Sequence, residues 1–494
     1  MYDIIIIGGG ISGLYCCYNI LKYNPKLKVC IIEKTSRWGG RIYTKYKDDV
    51  SFESGAGRFH SSHKNLMSLI NEFKLNNKLN PLSKNVSYFM KNQWIENDNQ
   101  LMTLYKSSFK SLSSIWKYIF SHKPITKPST LEEHCINIGL SKNEVQCVKD
   151  TYGYLTEFID MNCNNALDMI KYDFENGTFY TLIGGLQQLI DIIVTKCEKM
   201  GAIMLLNTQC INMNTYRKSI ILSNDEELMA NKIILAVPIN SLNDIEIVPK
   251  LKWNNHNKPI PYKLLRIYAK YPNGWFKGMN KMITDKKLSM IIPINPDKGL
   301  IMISYSDNIN AKYWNNFTDI NKLKKSISKE LHILFPDIDI PEPEWVSLEY
   351  WNEGCHYWNK YTDDDKIMKN IDKQLGNDIY LINESYVHIN GWIESSLIIA
   401  EEHIDDIINK IKGGSTTYSM DDIKKHNTIQ KGVWTVINKK VYDITKWVPE
   451  HPGGIAKIMQ IAGKDGTNLF MNNPFHKGTD ANKILEKYYI GDLK

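Results

Sequence analysis

The sequence predicts an α/β protein followed by a second, smaller domain, and three observations lead there. The chain begins with an apolar strand, a glycine-rich turn, a helix and a second strand, the order of a βαβ unit. Short strand-like segments at 203–236 and 260–310 alternate with helical stretches, as in layered α/β folds. Beyond the glycine- and threonine-rich segment 412–417, a compact lysine-dense region begins. A length of 494 residues also requires more than one domain.

Composition excludes several classes of function. The net charge is only +7 and no block of lysine and arginine occurs, so nucleic-acid binding is not expected. The mean hydropathy is −0.35 and no apolar run approaches twenty residues, so no transmembrane segment is predicted. Nine cysteines lie at irregular spacings without a CxxC motif, which is typical of a reducing compartment. Because the start also lacks the pattern of a secretory signal, we expect a cytoplasmic location.

The first strand is predicted at Tyr2–Ile7, because a short β-branched apolar run is typical of a parallel sheet buried on both faces. Gly8, Gly10 and Gly13 then make a GxGxxG motif. The first glycine permits a tight turn, the second lets the backbone approach a pyrophosphate, and the third lets the helix pack on the sheet. The helix that follows, through about Lys22, offers free amides and a positive dipole end to the phosphates.

The second strand, predicted at 28–32, ends at Glu33, twenty residues beyond Gly13. An acid at this place accepts hydrogen bonds from a ribose diol. The motif therefore predicts a dinucleotide site, but by itself it does not separate FAD from NAD.

Two further segments separate the two cofactors. Trp38-Gly39-Gly40-Arg41 follows the ribose acid, and Asn383-Glu384 and Gly391-Trp392-Ile393-Glu394-Ser395 lead into a late helix at 391–411. In these segments the sequence resembles the flavin-containing amine oxidases. The resemblance covers roughly residues 1–411 and implies FAD as cofactor. Together with the phosphate loop, the resemblance predicts the residues that bind FAD: Gly8, Gly10, Ser12, Gly13, Glu33, Gly40, Arg41, Arg58, Glu384, Trp392 and Ile393.

The same resemblance implies how the chain is divided. We expect a discontinuous Rossmann-like FAD domain and an α+β substrate domain built from the intervening segments. The FAD part is predicted at about 1–75, 180–245 and 345–411, and the substrate part at about 76–179 and 246–344. The segment 64–175 is expected to be mostly helical.

Three short matches favour the L-amino-acid oxidases within this family. Glu53–Arg58 resembles the segment whose arginine clamps a substrate carboxylate, for which a guanidinium fork is the natural partner. Tyr305 falls in a strand where those oxidases place a tyrosine on the same carboxylate, and Gly391–Ser395 is closer to their late motif. The alternatives remain a flavin or structural contact for Arg58 and a core position for Tyr305.

One position departs from the family. Where its members usually have a lysine that holds a water against the flavin, the best register places Arg266, which cannot deprotonate. The catalytic candidates are thus Arg58, Arg266, Tyr305 and Trp392, with Trp392 lining the flavin cavity. The aromatic segment 351–358 is either a wall of the substrate site or a packed loop in which His356 is satisfied.

The tail from about Tyr418 resembles cytochrome b5, a small α+β haem domain. Its motifs are Val441–Trp447, His451-Pro452-Gly453-Gly454, Ala462–Thr467 and Phe475-His476. The resemblance implies haem b held by His451 and His476 as axial ligands. Two histidines leave no open coordination position, so such a module carries electrons and does not activate oxygen.

These features predict an FAD-dependent enzyme that oxidises an amine or L-amino acid by hydride transfer to flavin, with electrons passed to oxygen or to the fused haem. The tail carries 12 lysines and 8 acidic residues, which favours docking on the flavin domain or on an acidic redox protein. Two alternatives stay open: a flavin oxidoreductase or desaturase acting on a non-amine substrate, and a redox or binding module without amine turnover.

Overall fold

The computed structural model divides into two compact units, Met1–His403 and Ile404–Lys494. The division falls within the last helix of the flavin region, Ile393–Ile411. Of the linker predicted at 412–417, only Thr417 is among the described residues, so its flexibility stays a prediction. The structure describes residues 1–124, 128–174, 177–248, 250–252, 258–376, 378–411, 417–473, 476 and 479–494.

In the first unit, strands and helices alternate along the chain. The strands are β1 (Tyr2–Ile7), β2 (Val29–Ile32), β3 (Thr44–Lys47), β4 (Val50–Glu53), β5 (Phe59–His60), β6 (Leu79–Pro81), β7 (Val86–Met90), β8 (Gln93–Ile95), β9 (Phe179–Leu182), β10 (Ile203–Leu205), β11 (Cys210–Asn214), β12 (Ser219–Leu222), β13 (Glu227–Leu235), β14 (Glu246–Val248), β15 (Ile260–Lys270), β16 (Lys281–Thr284), β17 (Met290–Asn295), β18 (Leu300–Asp307), β19 (Trp345–Tyr357) and β20 (Ile379–Leu381).

The helices of this unit follow in chain order. They are α1 (Ile11–Tyr23), α2 (Lys64–Glu72), α3 (Asp98–Leu104), α4 (Leu112–Ser121), α5 (Leu131–Asn137), α6 (Lys142–Tyr152), α7 (Thr156–Ile159), α8 (Cys163–Phe174), α9 (Gln187–Lys199), α10 (Ile239–Asn243), α11 (Asn308–Asn315), α12 (Ile320–Leu334), α13 (Asp364–Leu375) and α14 (Ile393–Ile411).

The predicted βαβ unit is confirmed. β1 pairs in parallel with β2 and with β13, and β10 and β20 extend the parallel region on either side. Ile4, Ile5 and Ile6 have no exposed surface, because the sheet covers them on both faces. The turn between β1 and α1 therefore lies at the carboxyl edge of this sheet, where nucleotides bind in such folds.

A second sheet has the described strand order β19-β15-β18-β17-β16-β7-β8. Its register places Arg266 on β15 opposite both Tyr305 on β18 and Glu349 on β19. β19 falls within the predicted FAD range 345–411, yet it pairs with β15 in this sheet. The segment 351–358, for which a packed loop was one interpretation, is mostly strand, because it belongs to β19.

The segment 64–175 is less helical than expected, since β6, β7 and β8 interrupt it. Its helices α3–α8 pack around a buried cluster that includes Trp116 and Phe158, with Tyr305 and Trp392 at its edge. This helical layer therefore forms one wall beside the second sheet.

The second unit is a small α+β domain. Its described sheet has the order β21-β26-β24-β23-β22, with β25 beside β23. Val433, Ile444 and Val448 form part of its core, and His451 directly follows a short 3₁₀ turn, Thr445–Glu450. The elements are β21 (Thr417–Tyr418), α15 (Met420–Lys425), β22 (Asn427–Thr428), β23 (Gly432–Ile437), β24 (Lys440–Asp443), α16 (Ile455–Ile458), β25 (Lys464–Asp465), α17 (Thr467–Met471), α18 (Thr479–Glu486) and β26 (Tyr489–Leu493).

Candidate functional site

The glycine turn has the geometry that its spacing predicts. Gly8 has φ +108°, and a Cβ there would lie 2.5 Å from the Ala236 carbonyl oxygen. A Cβ on Gly13 would lie 2.1 Å from the Gly8 carbonyl oxygen, so only glycine lets α1 approach the turn this closely. A Cβ on Gly10 would meet nothing within 4 Å, so the backbone there borders open space that a ligand can reach.

Two polar side chains complete this end of the site. The Glu33 carboxylate accepts hydrogen bonds from the backbone of Gly9 at 2.8 Å and of Thr35 at 2.9 Å, which hold it beside the turn. The Ser12 hydroxyl is buried and makes no hydrogen bond within the described chain. A buried hydroxyl without a partner is costly, and a phosphate oxygen at this turn would supply one.

A cavity of about 400 Å³ runs from this turn toward the second sheet. Its wall combines glycine backbone, three arginines, carboxylates and apolar side chains, and this set of groups fits a dinucleotide with a pyrophosphate. Gly13 lies behind the turn and Arg58 lies elsewhere, so neither lines this cavity. The predicted cofactor residues on its wall are Gly8, Gly10, Ser12, Glu33, Gly40, Arg41, Glu384, Trp392 and Ile393.

Arg41 and Glu384 meet in the middle of the cavity wall. The Arg41 guanidinium donates to the Glu384 carboxylate and, at 3.3 Å, to Asn383 Oδ1. The buried Glu384 carboxyl pays a desolvation penalty, but the charges of Arg41 and His356 outweigh it and hold its pKa well below the usual range. His356 contacts both Glu384 and Glu353, and its Nδ1 lies 3.4 Å from Arg41 Nη1, a set of contacts that was not predicted from the sequence.

All four predicted catalytic residues line one further pocket of about 100 Å³. Arg58, Arg266, Tyr305 and Trp392 come from four separate elements or loops, and the fold brings them together there. Three of them, Arg266, Tyr305 and Trp392, also line the larger cavity. The small pocket is therefore placed beside the cavity that fits the dinucleotide.

Arg266 donates hydrogen bonds to three neighbouring groups. Its Nη1 donates to the backbone carbonyls of Glu53, at 2.9 Å, and Gly55, and its Nη2 donates to the Tyr305 hydroxyl at 3.3 Å. The side chain thus ties the segment that leads to Arg58 onto β15. Lysine, with one nitrogen, could not make this fork.

Arg58 lies against two aromatic rings. Its guanidinium carbon is 4.7 Å from the centre of the Phe179 ring and 5.6 Å from that of Trp392, within cation–π range. The two rings are 6.0 Å apart and nearly parallel, with an interplanar angle of 25°. Phe179 on β9 was not predicted, because nothing in its local sequence marks it.

The pocket also has an acidic wall that the sequence analysis missed. Glu157, on α7, lines the pocket, and its Oε2 accepts from the Tyr262 hydroxyl at 2.9 Å. The same hydroxyl lies 2.9 Å from Asp307, whose carboxylate also accepts from the backbone of Leu155 and Thr156. Burial raises the pKa of Asp307, against these hydrogen bonds. A phenol has one proton and donates it to one carboxylate, so a hydrogen bond to the other carboxyl requires a proton on that carboxyl.

In the second unit, the two predicted haem ligands face each other. The ring centres of His451 and His476 are 6.3 Å apart. Two imidazoles that each coordinate one metal at about 2 Å have ring centres roughly 6 Å apart. His476 Nδ1 lies 3.2 Å from the Phe470 carbonyl and Nε2 lies 3.4 Å from Asn473 Nδ2, so Nε2 is the nitrogen that could bind a metal. The spacing of the two rings fits a haem, and the Phe470 ring lies 4.6 Å from that of His476.

A dinucleotide cavity that opens beside a pocket of arginines and aromatic side chains defines an FAD-binding oxidoreductase, here joined to a haem module. The model of the flavin containing amine oxidoreductases matches residues 11–366, and the chain belongs to that family. The model of the cytochrome b5-like heme/steroid binding domain matches residues 419–494, which confirms the predicted haem domain. FAD and haem are thus the cofactors of the two parts.

Two curated relatives match a short part of the chain. The probable Delta(5) fatty acid desaturase C of Dictyostelium discoideum is 47% identical over 77 residues, which are 15% of this chain and 16% of that protein. Cytochrome b5 of Rhizopus stolonifer is 42% identical over 76 residues, 15% of this chain and 56% of that protein. The chain therefore spans less than two thirds of the length of each.

Solved structures similar to the chain are amine oxidases. A putrescine oxidase variant has a TM-score of 0.66 at 17% identity, covering 82% of this chain and 99% of that one. Cyclohexylamine oxidase from Brevibacterium oxydans IH-35A has a TM-score of 0.65 at 15% identity, covering 83% and 99%. At these identities the likeness shows the fold. Among the described helices, none combines the length and apolar character needed to cross a bilayer.

Proposed function

We propose that the protein oxidises a small amine or L-amino acid and delivers the electrons to its own haem module. The observation that carries this proposal is the shared wall of the two cavities, to which Arg266, Tyr305 and Trp392 all contribute. A substrate in the small pocket would therefore lie directly beside the flavin.

The cofactors supply the electron chemistry: bound FAD accepts a hydride, and a bis-histidine haem accepts one electron at a time. The residues of the chain bind and orient. Arg58 offers a guanidinium for a substrate carboxylate, and Phe179 and Trp392 hold that guanidinium in place. Tyr305, fixed by Arg266, offers a hydroxyl to the same group.

The acidic wall favours a substrate with a nitrogen cation. The Glu157 carboxyl shares the small pocket with Arg58 and Arg266, so the pocket presents opposite charges on its walls. An amino acid has the matching pair of charges, and a simple amine matches the acidic wall alone. This supports the amino-acid branch without excluding amines that lack a carboxylate.

Fusion of the two modules supports the haem as electron acceptor. A module tethered to the flavin unit remains at high effective concentration, so transfer need not await a diffusional encounter. Oxygen and an external redox protein are the competing acceptors.

The substrate assignment is tested by the Arg58→Ala variant with full-length holoprotein. We expect unchanged flavin content and a loss on the order of a hundredfold in kcat/KM for L-amino acids, with a smaller loss for putrescine or cyclohexylamine. Lys263→Ala is the matched control. Lys263 is a basic residue on β15, three positions before Arg266, and it is not among the residues that line the small pocket. Equal losses in kcat/KM for substrates with and without a carboxylate would show that Arg58 does not bind the carboxylate. If the wild-type protein oxidises neither amines nor amino acids, a non-amine substrate is favoured.

A further inference from the structure

A completely buried imidazole lies between two carboxylates beside the FAD cavity. His356 Nδ1 is 3.0 Å from Glu384 Oε1, and its Nε2 is 2.8 Å from Glu353 Oε1. The backbone amide of His356 also donates to Glu384, at 3.1 Å. The His356 side chain is 0% exposed. Nothing in the family motifs discussed above assigns this residue a role.

The two carboxylate contacts favour a charged ring. A neutral imidazole carries one N–H, so its other nitrogen would direct a lone pair at a carboxylate oxygen. Both nitrogens lie within 3.0 Å of carboxylate oxygens, an arrangement that the imidazolium form satisfies with its two N–H donors. The Ser385 hydroxyl, 2.9 Å from Nδ1, and Arg41 Nη1, 3.4 Å from it, are the donors from which a neutral ring would accept. Burial and the positive charge of Arg41 oppose that charge, but Glu384 and Glu353 outweigh them and raise the pKa of His356.

The network is electrically balanced when His356 is protonated. Arg41 and His356 supply two positive charges, and Glu384 and Glu353 supply two negative charges. Arg41, Glu353 and Glu384 all line the FAD cavity. If His356 loses its proton, this part of the wall carries a net charge of −1.

The other ionisable groups that face the network keep their charge state across neutral and moderately alkaline pH. Burial raises the pKa of the Cys355 thiol and of the Tyr386 hydroxyl well above their ordinary values. Tyr386 in turn donates to the Val237 carbonyl at 3.1 Å. Burial opposes the charge of Arg41, but the Glu384 carboxylate raises its pKa, so this arginine stays protonated. Within this group, His356 is the residue whose charge can change.

We infer that His356 is a positioning residue for FAD. As an imidazolium it fixes the carboxylates of Glu353 and Glu384 in the cavity wall and keeps this part of the wall neutral toward the anionic pyrophosphate of the cofactor. As a neutral ring it releases one carboxylate and leaves a like charge facing the pyrophosphate, so FAD is held less tightly. The inference concerns FAD binding alone and is independent of the substrate.

The raised pKa of His356 determines how FAD affinity changes with pH. His356 has a pKa raised above its ordinary value of about 6.5, so its contribution is complete below that pH and is lost as the pH rises through the raised value. FAD should therefore bind most tightly at neutral and mildly acidic pH and less tightly in alkaline solution.

The test is a titration of full-length, haem-containing protein, stripped of FAD, with FAD itself between pH 6 and pH 10. The dissociation constant, read from flavin fluorescence, should rise about tenfold or more toward the alkaline end. The His356→Gln variant should bind FAD about tenfold more weakly at pH 6.5 and show little of this rise. Adding Glu353→Gln to that variant restores a balanced wall and should recover most of the affinity.

His134→Gln is the matched control, because His134 is also a fully buried histidine but lies on α5, whose Leu131 and Cys135 belong to the cluster around Trp116. It should leave the pH dependence of FAD binding intact. A constant dissociation constant in the wild-type protein, or the same rise in His356→Gln, would overturn the inference. If His356→Gln does not fold, the ¹⁵N shifts of the wild-type ring decide: two protonated nitrogens at pH 7 support the inference, and one refutes it.

Discussion

The guanidinium of Arg266 lies over the ring of Tyr305, with its central carbon 4.5 Å from the ring centre. The two residues are direct partners on β15 and β18, so the register of the sheet sets their contact. Because Arg266 also donates to the carbonyls of Glu53 and Gly55, it joins Tyr305 to the loop before Arg58. Arg266 thus organises the pocket, whatever else it does beside the flavin.

Replacing Arg266 by lysine should therefore weaken turnover without removing the flavin. Lysine keeps the charge but loses the fork, so the loop before Arg58 and the Tyr305 hydroxyl lose their common anchor. We expect kcat/KM to fall on the order of tenfold to a hundredfold, as for small misplacements of binding groups. Steady-state kinetics with flavin content measured in parallel will check this, and an unchanged kcat/KM would show that the anchor is dispensable.

Ser12→Ala should weaken FAD binding without destabilising the FAD-free protein. The Ser12 hydroxyl is buried and unpartnered within the described chain, so its loss costs the fold little, whereas bound FAD loses a hydrogen bond. We expect a dissociation constant about three- to tenfold higher. Ser304→Ala provides the contrast, because the buried Ser304 hydroxyl already donates to the Leu288 carbonyl at 2.9 Å. That control should lower the unfolding free energy and leave FAD affinity unchanged, and the opposite pattern would contradict the assignment of Ser12.

Removal of either facing histidine in the second unit should abolish stable haem binding. His451→Ala and His476→Ala each delete one of two rings whose centres are 6.3 Å apart. The absorbance spectrum should lose the bands of a six-coordinate haem while the flavin bands remain. His426→Ala is a suitable control, since that ring stacks on Trp434 with centres 3.6 Å apart and takes no part in the pair. Retention of the full haem spectrum in either variant would refute axial ligation by that residue.

His388, which lies shortly before the Gly391-Trp392 pair, should make the thermal stability of the protein depend on pH. Hydrogen bonds to Asp168, on α8, and Asp364, on α13, raise its pKa to about 10. A folded pKa raised above about 6.5 stabilises fully below that pH and is lost as the pH approaches 10. The wild-type protein should therefore melt at a higher temperature than His388→Gln near pH 6, with the gap closing toward pH 10. A gap that is constant or grows with pH would contradict this ion pairing.

The phosphate turn could be predicted from sequence because its chemistry is local. Gly8, Gly10 and Gly13 lie within six positions, and the fixed geometry of a strand, turn and helix assigns each its task. Glu33 follows at a distance that the same βαβ unit determines.

The substrate pocket was only partly predictable. Arg58, Arg266 and Tyr305 were found through resemblance to a family, since no local pattern joins them. Tyr262 lies 105 positions from Glu157 and 45 from Asp307, so only the folded sheet and helical layer bring these three together.

The surroundings of His356 could likewise be predicted only in part from the sequence. Glu353 is three residues away, but Glu384 is 28 residues away, so the sequence gives half of its surroundings at most. Neither interpretation of 351–358, a wall of the substrate site or a packed loop, placed His356 on β19 between Glu353 and Glu384.

Amine oxidation coupled to haem reduction is tested most directly by anaerobic stopped-flow absorbance of the full-length holoprotein mixed with putrescine, with cyclohexylamine and with a mixture of L-amino acids. We expect at least one substrate to bleach the flavin and the reduced haem bands then to appear, whereas His451→Ala should show flavin bleaching alone. Flavin bleaching in the wild-type protein without any haem reduction would contradict the internal electron transfer, and no change in either cofactor would contradict amine oxidation itself.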